Sequence, residues 1–338
     1  MTFISQRSRT PWVGAMLTTL ALLFVVGCAS TSDEEQRLRV ALHFNSPQTS
    51  WVGIYVAQEK GYYEEAGLDL EFQYLGGSTL AVQAVGAGRA DLGIASPDAL
   101  ISGVNEELPV VAVANHLQQD ATGVIVDGEA DDFADLADKR VATAQGTAEA
   151  GLFQAALTRA GVAEEVDTDY VESASKCTMV ISGQADACTG FAFAQLIQVQ
   201  LEGVDATFLP FSTESAPLPG AAILTTEDRA EGDDAVERFL EATFRGYADA
   251  DEDREMAVDV MKDVSDTGDP QQIEESTELV LDLMRSEATD SHGWGWSDEQ
   301  TWGNLVEQMV EGEVLGESLE PAELFTNDLL PENAGEWQ

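Results

Sequence analysis

Short apolar runs alternate with amphipathic helical runs along this chain, and only a layered α/β arrangement accommodates that order. Residues Trp51 to Phe72, WVGIYVAQEKGYYEEAGLDLEF, are the clearest unit. Ile54, Tyr55, Ala57 and Gln58 fall at helical spacing, Gly61 permits a tight turn, and Tyr62 to Ala66 add one more turn. Gly67 then ends the helix before the alternating strand Leu68, Leu70, Phe72. The flanking segments repeat the scheme. Leu38 to Phe44 reads as a strand, and Gly76-Gly77-Ser78 caps a helix to about Gly86. Asp91 to Ala95 is a short strand, Ser96-Pro97-Asp98 opens a helix with proline near its first position, and Val110 to Ala114 closes a β-α-β-α-β-α-β series. Such a series predicts a mostly parallel sheet covered on both faces.

A second series starts at Gly123 to Val126. It continues with helix Asp132 to Ala137, strand Arg140 to Ala144, helix Thr147 to Ala160, strand Val166 to Val171, helix Ala174 to Ser182, strand Ala185 to Cys188 and helix Phe191 to Leu201. Strand-like Ala206 to Phe211 and Ala221 to Thr225 flank Pro217 and Pro219, a return crossing. Helical patterns follow near 235–248, 253–264, 271–285 and 298–311. The expected architecture is α/β with two lobes, a two-strand hinge and a C-terminal helical portion. Lobe 1 comprises 38–120 with 224–338, and lobe 2 comprises 121–223. Two lobes joined by two crossings form a clamp that closes on a small molecule.

The N-terminus differs in kind. Arg7 and Arg9 form a basic region, Trp12 to Val26 are largely apolar, and the segment closes on Val25-Val26-Gly27-Cys28. A run this short and weakly flanked reads as a cleaved export signal over 1–27 rather than a spanning helix or signal anchor. The Gly-Cys ending resembles a bacterial lipobox, which implies lipidation of Cys28 and a tether over 28–37. The expected site is therefore the outer face of the cytoplasmic membrane, reached through a lipid anchor.

The formal charge is −46, and loss of Arg7 and Arg9 with the signal takes it to −48. A surface so acidic repels nucleic acid, and acids spread along the chain suit a protein working at high salt. With Cys28 lipidated, Cys177 and Cys188 remain, and in an exported chain a disulfide between them is expected, with two free thiols as the alternative. His43, His116 and His292 sit far apart and outside zinc-like spacings, so no metal and no cofactor are expected.

The opening unit resembles the recurring "A..KGYFEEEGLDVE" of the SsuA/THI5-like (NMT1-like) solute-binding proteins of ABC transporters, with Tyr63 where many members carry Phe. Further pieces resemble the same family in order: GAGRADLGIASPDAL at Gly86 to Leu100, DLADKRVA at Asp135 to Ala142, SGQADAC at Ser182 to Cys188 and LFTNDLLP at Leu324 to Pro331. The resemblance covers nearly the whole mature chain and implies the type II periplasmic-binding fold, a small-molecule ligand, an ABC permease as partner, and a monomer. Its pyrimidine-binding branch reads "DW.PN..HAG.Y.A" near the first helix. Here Pro47, Gly53 and Tyr55 match, while Gln48 replaces Asn and Trp51 replaces His.

Ligands of open α/β sheets lie beyond the carboxyl ends of the strands, against helix N-termini. That rule selects Phe44 to Trp51, Gly76 to Thr79, Ala95 to Asp98, Asn115 to Asp120, Ala144 to Thr147 and Glu172 to Ser175, none of which contains Lys or Arg. A neutral or weakly basic heteroaromatic such as a thiamine-precursor pyrimidine is the favoured ligand. Trp51 or Tyr55 would stack on it, and Asn45, Gln48, Gln118 and Gln119 would pair with ring nitrogens and amino groups. Sulfonate, taurine or nitrate held by the backbone at Gly77-Ser78 and Gly146-Thr147 is the alternative. Ser96, Pro97, Asp98, Glu172 and Phe191 complete the candidate set. Several have plainer readings: Tyr55 as core, Trp51 as a hydrophobic staple, the Gly-Ser and Gly-Thr turns as caps, and Asp98 as a partner of the helix dipole.

The resemblance also admits an enzyme, a THI5-like pyrimidine synthase. Those enzymes carry a "CCCFC" segment where this chain has only Cys177 and Cys188, and the export signal also opposes that reading. No enzymatic activity is expected. A sensory or adhesion ectodomain is a third possibility, disfavoured by the absence of a signalling segment.

Overall fold

The computed structural model describes residues 36–331 except 146, 215, 216, 266 and 267. The expected signal at 1–27, Cys28 and nearly all of the tether lie outside the described residues.

The chain opens with β1 (Gln36–Leu42), α1 (Val52–Glu59), α2 (Tyr62–Glu65), β2 (Leu68–Tyr74), α3 (Ser78–Gly86), β3 (Leu92–Ala95), α4 (Pro97–Asn105) and β4 (Val110–Asn115). It continues through β5 (Thr122–Asp127), β6 (Arg140–Ala144), α5 (Ala148–Ala160), β7 (Asp167–Val171), α6 (Lys176–Ile181), β8 (Ala187–Phe191), α7 (Ile197–Leu201) and β9 (Ala206–Pro210). Then β10 (Ala222–Thr226) leads into α8 (Glu227–Ala230), α9 (Asp234–Glu252), α10 (Arg254–Val264), α11 (Pro270–Leu283), α12 (Glu287–His292) and α13 (Glu299–Glu311).

Two five-stranded sheets result, ordered β2-β1-β3-β10-β4 and β7-β6-β8-β5-β9. The expectation of mostly parallel sheets needs correction. β1 pairs in parallel with β2 and β3, but β10 inserts antiparallel between β3 and β4, and β5 lies antiparallel between β8 and β9. Each sheet thus borrows a strand reached through a crossing, a pairing that local periodicity does not record.

Smaller corrections have local causes. β1 starts at Gln36, so the last two residues of the expected tether are strand, paired with Leu68 and Asp69. The expected helix from Asp132 is only a 3-10 turn, Phe133–Leu136, held by a capping box of Asp132 and Asp135. β8 extends to Phe191, and the helix expected from there begins as a π turn, Ala192–Leu196, before α7. α12 escaped the sequence reading because it is short and polar; its Ser286–Thr289 capping box holds it.

β4, VVAVAN, ends its sheet yet is buried at every position, because the segment at Leu324 to Thr326 runs beside it, with the Ala112 N–H donating to the Leu324 carbonyl and the Thr326 N–H to the Ala112 carbonyl. α1 packs on α9 through small residues: a Cβ on Gly53 would sit 2.1 Å from the Tyr247 ring, and one on Gly246 would sit 2.2 Å from the Gly53 carbonyl oxygen. The two chain crossings between the sheets run equally close, since a Cβ on Gly220 would lie 2.4 Å from the carbonyl oxygen of Leu117. The C-terminal helices also touch the second sheet's layer. α13 meets α5, where Gly151 and Gly312 allow backbone contact and Arg159 pairs with Glu311 at 2.7 Å. α11 leans on the π turn, with Gln272 Nε2 reaching the Ala194 carbonyl at 3.5 Å. Cys177 and Cys188 are joined in a disulfide, Cα atoms 5.3 Å apart, which fastens the start of α6 to β8.

Candidate ligand-binding site

A cavity of about 710 Å³ opens between the two sheets, within the range of small-molecule sites. Every one of the six segments beyond the strand ends supplies at least one lining residue: Phe44 and Ser50 after β1, Gly76 to Thr79 after β2, Ser96 to Asp98 after β3, Leu117 and Asp120 after β4, Thr147 after β6, and Ser173 after β7. Leu218 to Ala221 from the return crossing, Phe191 at the end of β8 and Phe193 just beyond it add to the lining.

Its apolar wall is aromatic. Phe44 and Phe191 meet edge-on, ring centroids 5.8 Å apart, and Phe193 stacks on Phe191 at 5.4 Å. Phe191 is fixed by its own backbone, whose N–H donates to Gln195 Oε1 at 2.8 Å, a contact made possible by the π turn.

Its polar wall is acidic. Asp98 lies in the first turn of α4, and burial raises its carboxyl above the usual range, with the Glu149 charge adding to the shift and the Ser96 hydrogen bond opposing it. Burial likewise pushes Asp120 up to about 7, against the backbone and side-chain hydrogen bonding of Thr122 and with a further contribution from Asp98. Asp120 Oδ1 accepts the Thr122 N–H at 2.8 Å, whereas Oδ2 is buried with no hydrogen-bond partner among the described residues. Glu149, in the first turn of α5, meets Lys176 at 2.6 Å. Lys176 is 5% exposed and also donates to Thr189 Oγ1, so its charge is spent inside the protein.

Among the described residues no lysine or arginine lines the cavity. His43 does, but its Nδ1–H donates to the Ile94 carbonyl and burial lowers its pKa to about 4, so it stays neutral and leaves Nε2 as an acceptor. Among the described residues no cluster of His, Cys, Asp or Glu is placed to hold a metal ion.

The anticipated residues divide. Gly77, Ser78, Ser96, Pro97, Asp98, Thr147 and Phe191 line the cavity, while Gly146 falls outside the described residues. Thr147 also caps its own helix by accepting from the Ala150 N–H. Others do not reach the cavity. Trp51 is 0% exposed, packed among His43, Phe44 and Tyr74, because the chain turns inward before α1. Tyr55 is 4% exposed on the buried face of α1, its hydroxyl 3.0 Å from that of Tyr74. Gln118 spends its amide on Asn115, Trp296 and Ser286, and Gln119 donates to the Arg285 carbonyl, so both tie the crossing to the C-terminal helices. Gln48 donates to Ser46, Asn45 is exposed, and Glu172 is exposed ahead of a 3-10 turn; none of the three lines the cavity.

Sequence reasoning passed over His43, Glu149 and Phe193, and it included Ser50 and Asp120 only as members of the segments Phe44 to Trp51 and Asn115 to Asp120. Asp120 had a signal, since it ends the segment following β4. Glu149 had one too, two residues after the Thr147 cap.

Residues 48–257 match the family model described as NMT1/THI5 like. The chain belongs to the NMT1/THI5-like family. Among curated members and relatives, the formylaminopyrimidine-binding protein of Halalkalibacterium halodurans is 24% identical over 301 residues, covering 85% of this chain and 90% of that protein. The 4-amino-5-hydroxymethyl-2-methylpyrimidine phosphate synthase THI5 of Saccharomyces cerevisiae is 30% identical over 166 residues, 46% of each. Among solved structures, the alkanesulfonate-binding protein SsuA of Xanthomonas axonopodis pv. citri, bound to MOPS, superposes with a TM-score of 0.67 at 16% identity over 87% of this chain and 99% of that one. This NMT1/THI5-like chain therefore has the periplasmic-binding-protein fold.

Proposed function

We propose that this protein is the extracytoplasmic solute-binding component of an ABC importer and that it holds a nitrogenous heteroaromatic, such as a thiamine-precursor pyrimidine, between lobe 1 (38–120 with 224–338) and lobe 2 (121–223). The observation that carries the ligand class is the lining: aromatic rings from both sides, two half-buried carboxylates with raised pKa, and no cation among the described residues. Aromatic faces take a flat ring, and carboxylates take its amino and ring N–H groups. The formylaminopyrimidine-binding relative, aligned over most of both chains, supports the same class. Ligand contacts from both lobes favour the closed state, which the permease recognises. We read residues 1–27 as an export signal and Cys28 as the lipidated residue, which would anchor a monomer to the outer face of the membrane; among the described residues no helix is long and apolar enough to cross a bilayer.

A sulfonate ligand is the second reading, favoured by one feature. α3 begins at the cavity with no acid in its first turn and no side-chain cap, leaving its amide dipoles for a negative group, whereas α4 and α5 carry Asp98 and Glu149 at theirs. A synthase is disfavoured, since the yeast enzyme aligns over less than half of this chain. Calorimetry and thermal shift at high and low salt, against aminopyrimidines, thiamine, riboflavin, taurine, alkanesulfonates and nitrate, decide the matter. A micromolar pyrimidine binder without turnover is the expected result; tight binding of a sulfonate alone overturns the ligand class.

A further inference from the structure

We propose that Asp120 is the residue that reads the ligand's nitrogen: it receives an N–H donor edge of the bound heteroaromatic and gives up its own proton as that edge arrives. The inference rests on the cavity being the solute site.

Asp120 lies in the crossing from β4 to β5, on the cavity wall. Its two oxygens are unequal: Oδ1 is held by the Thr122 N–H, and Oδ2 is buried and unpartnered among the described residues. An unmet buried acceptor is unfavourable, and an arriving donor removes that cost. Ser50 is 1% exposed and lines the same cavity, and its Oγ is likewise buried without a partner, so the cavity holds two polar atoms that nothing in the described fold satisfies.

The charged groups around Asp120 leave it free for a ligand. Asp98, from α4, repels its anion. Glu149, from α5, acts on Asp98 and is met by Lys176 of α6. Arg285, beyond α11 and beside Gln119, is engaged by Asp251 at 2.5 Å. The buried imidazoles His43 and His116 are held neutral, at about 4 and about 3. With Asp120 at about 7, the carboxyl is about half protonated near neutrality.

The proton balance separates two kinds of ligand. A neutral aminopyrimidine accepts the Asp120 proton on a ring nitrogen, giving a pyrimidinium against a carboxylate; where Asp120 is already ionised, the proton comes from solvent. An N-methylated aminopyrimidinium is charged already, so the Asp120 proton leaves for the buffer. The two probes thus exchange protons in opposite directions.

Titration calorimetry of the full-length protein at pH 6, 7 and 8, in buffers of differing ionisation heat, tests this with 4-amino-2-methylpyrimidine, its N-methyl cation and methanesulfonate. For the wild type, the cation's affinity should rise about tenfold from pH 6 to pH 8, with about half a proton released at pH 7, while the neutral probe takes up about half a proton there. Asp120→Asn should weaken the cation at least about tenfold at pH 8 and remove its proton exchange, without weakening methanesulfonate. Asp98→Asn should keep the exchange and move its midpoint to lower pH. Unchanged cation affinity in Asp120→Asn, or a flat wild-type profile, overturns the proposal, as does loss of the exchange in Asp98→Asn alone. Failure of every probe to bind the wild type at any pH overturns the solute-site reading itself, a result distinct from binding without proton exchange.

Discussion

At the scale of single residues, the cavity's character depends on charges that are cancelled and charges that are not. Lys176 and Glu149 form a buried pair, and truncating one partner strands the other in a poorly solvated place. Lys176→Met should lower stability by about 3 kcal/mol in urea unfolding, and the double replacement Lys176→Met with Glu149→Leu should recover a good part of that loss. Asp120 works in the other direction. Its folded pKa of about 7 lies above the ordinary value of about 3.9, so the folded chain keeps a proton that the unfolded chain releases between those values. That preference for the folded state is full at the acid end and is lost as pH rises from about 4 through about 7. Without ligand, Asp120→Asn should therefore gain on the wild type between pH 5 and pH 8; equal urea midpoint differences at both pH values would mean Asp120 is not buried as described. Residue roles were the least legible part of the sequence. Trp51, Tyr55, Gln118 and Gln119 have side chains suited to a heteroaromatic, yet burial and neighbouring carbonyls claim them, and neither influence is visible in one-dimensional spacing.

At the scale of elements, contact depends on missing side chains. Gly312 follows α13 and meets α5 at Gly151, where a Cβ on Gly312 would lie 2.6 Å from the Gly151 carbonyl oxygen. Gly312→Val should cost about 1–3 kcal/mol by overpacking and weaken ligand binding, because it prises α13 from α5 across the clamp. Binding at wild-type affinity would show that this contact contributes nothing to closure. The order of strands and helices was readable from the alternation of apolar periods, and segments such as Arg140–Ala144 coincide with strands. Sheet order was not readable, because the partners of β10 are chosen by the return of the chain and lie more than a hundred residues upstream. The π turn at Ala192–Leu196 was invisible for a related reason: it keeps helical composition while shifting register by one residue to let Gln195 reach the Phe191 backbone.

At the scale of the whole molecule, a formal charge of −46 makes self-repulsion a standing cost of compaction. Salt screens it, with a Debye length near 10 Å at 0.1 M and about 3 Å at 1 M. The melting temperature should therefore rise by several degrees between 0.1 M and 2 M sodium chloride, roughly 1 kcal/mol or more at this size; a flat or falling trend in differential scanning calorimetry would show that the acids are already compensated pairwise. The close approach of the two crossings, Gly220 against Leu117, has a mechanical consequence. In the two-lobe clamp proposed above, two chains pressed together would act as one axle, with Asp120 on it and Asp98 and Thr147 on opposite jaws. A contact at such an axle has almost no lever arm, so it would be made equally in the open and shut forms. What the ligand is would then be judged before the jaws move, and how firmly they shut would be judged afterwards by different residues.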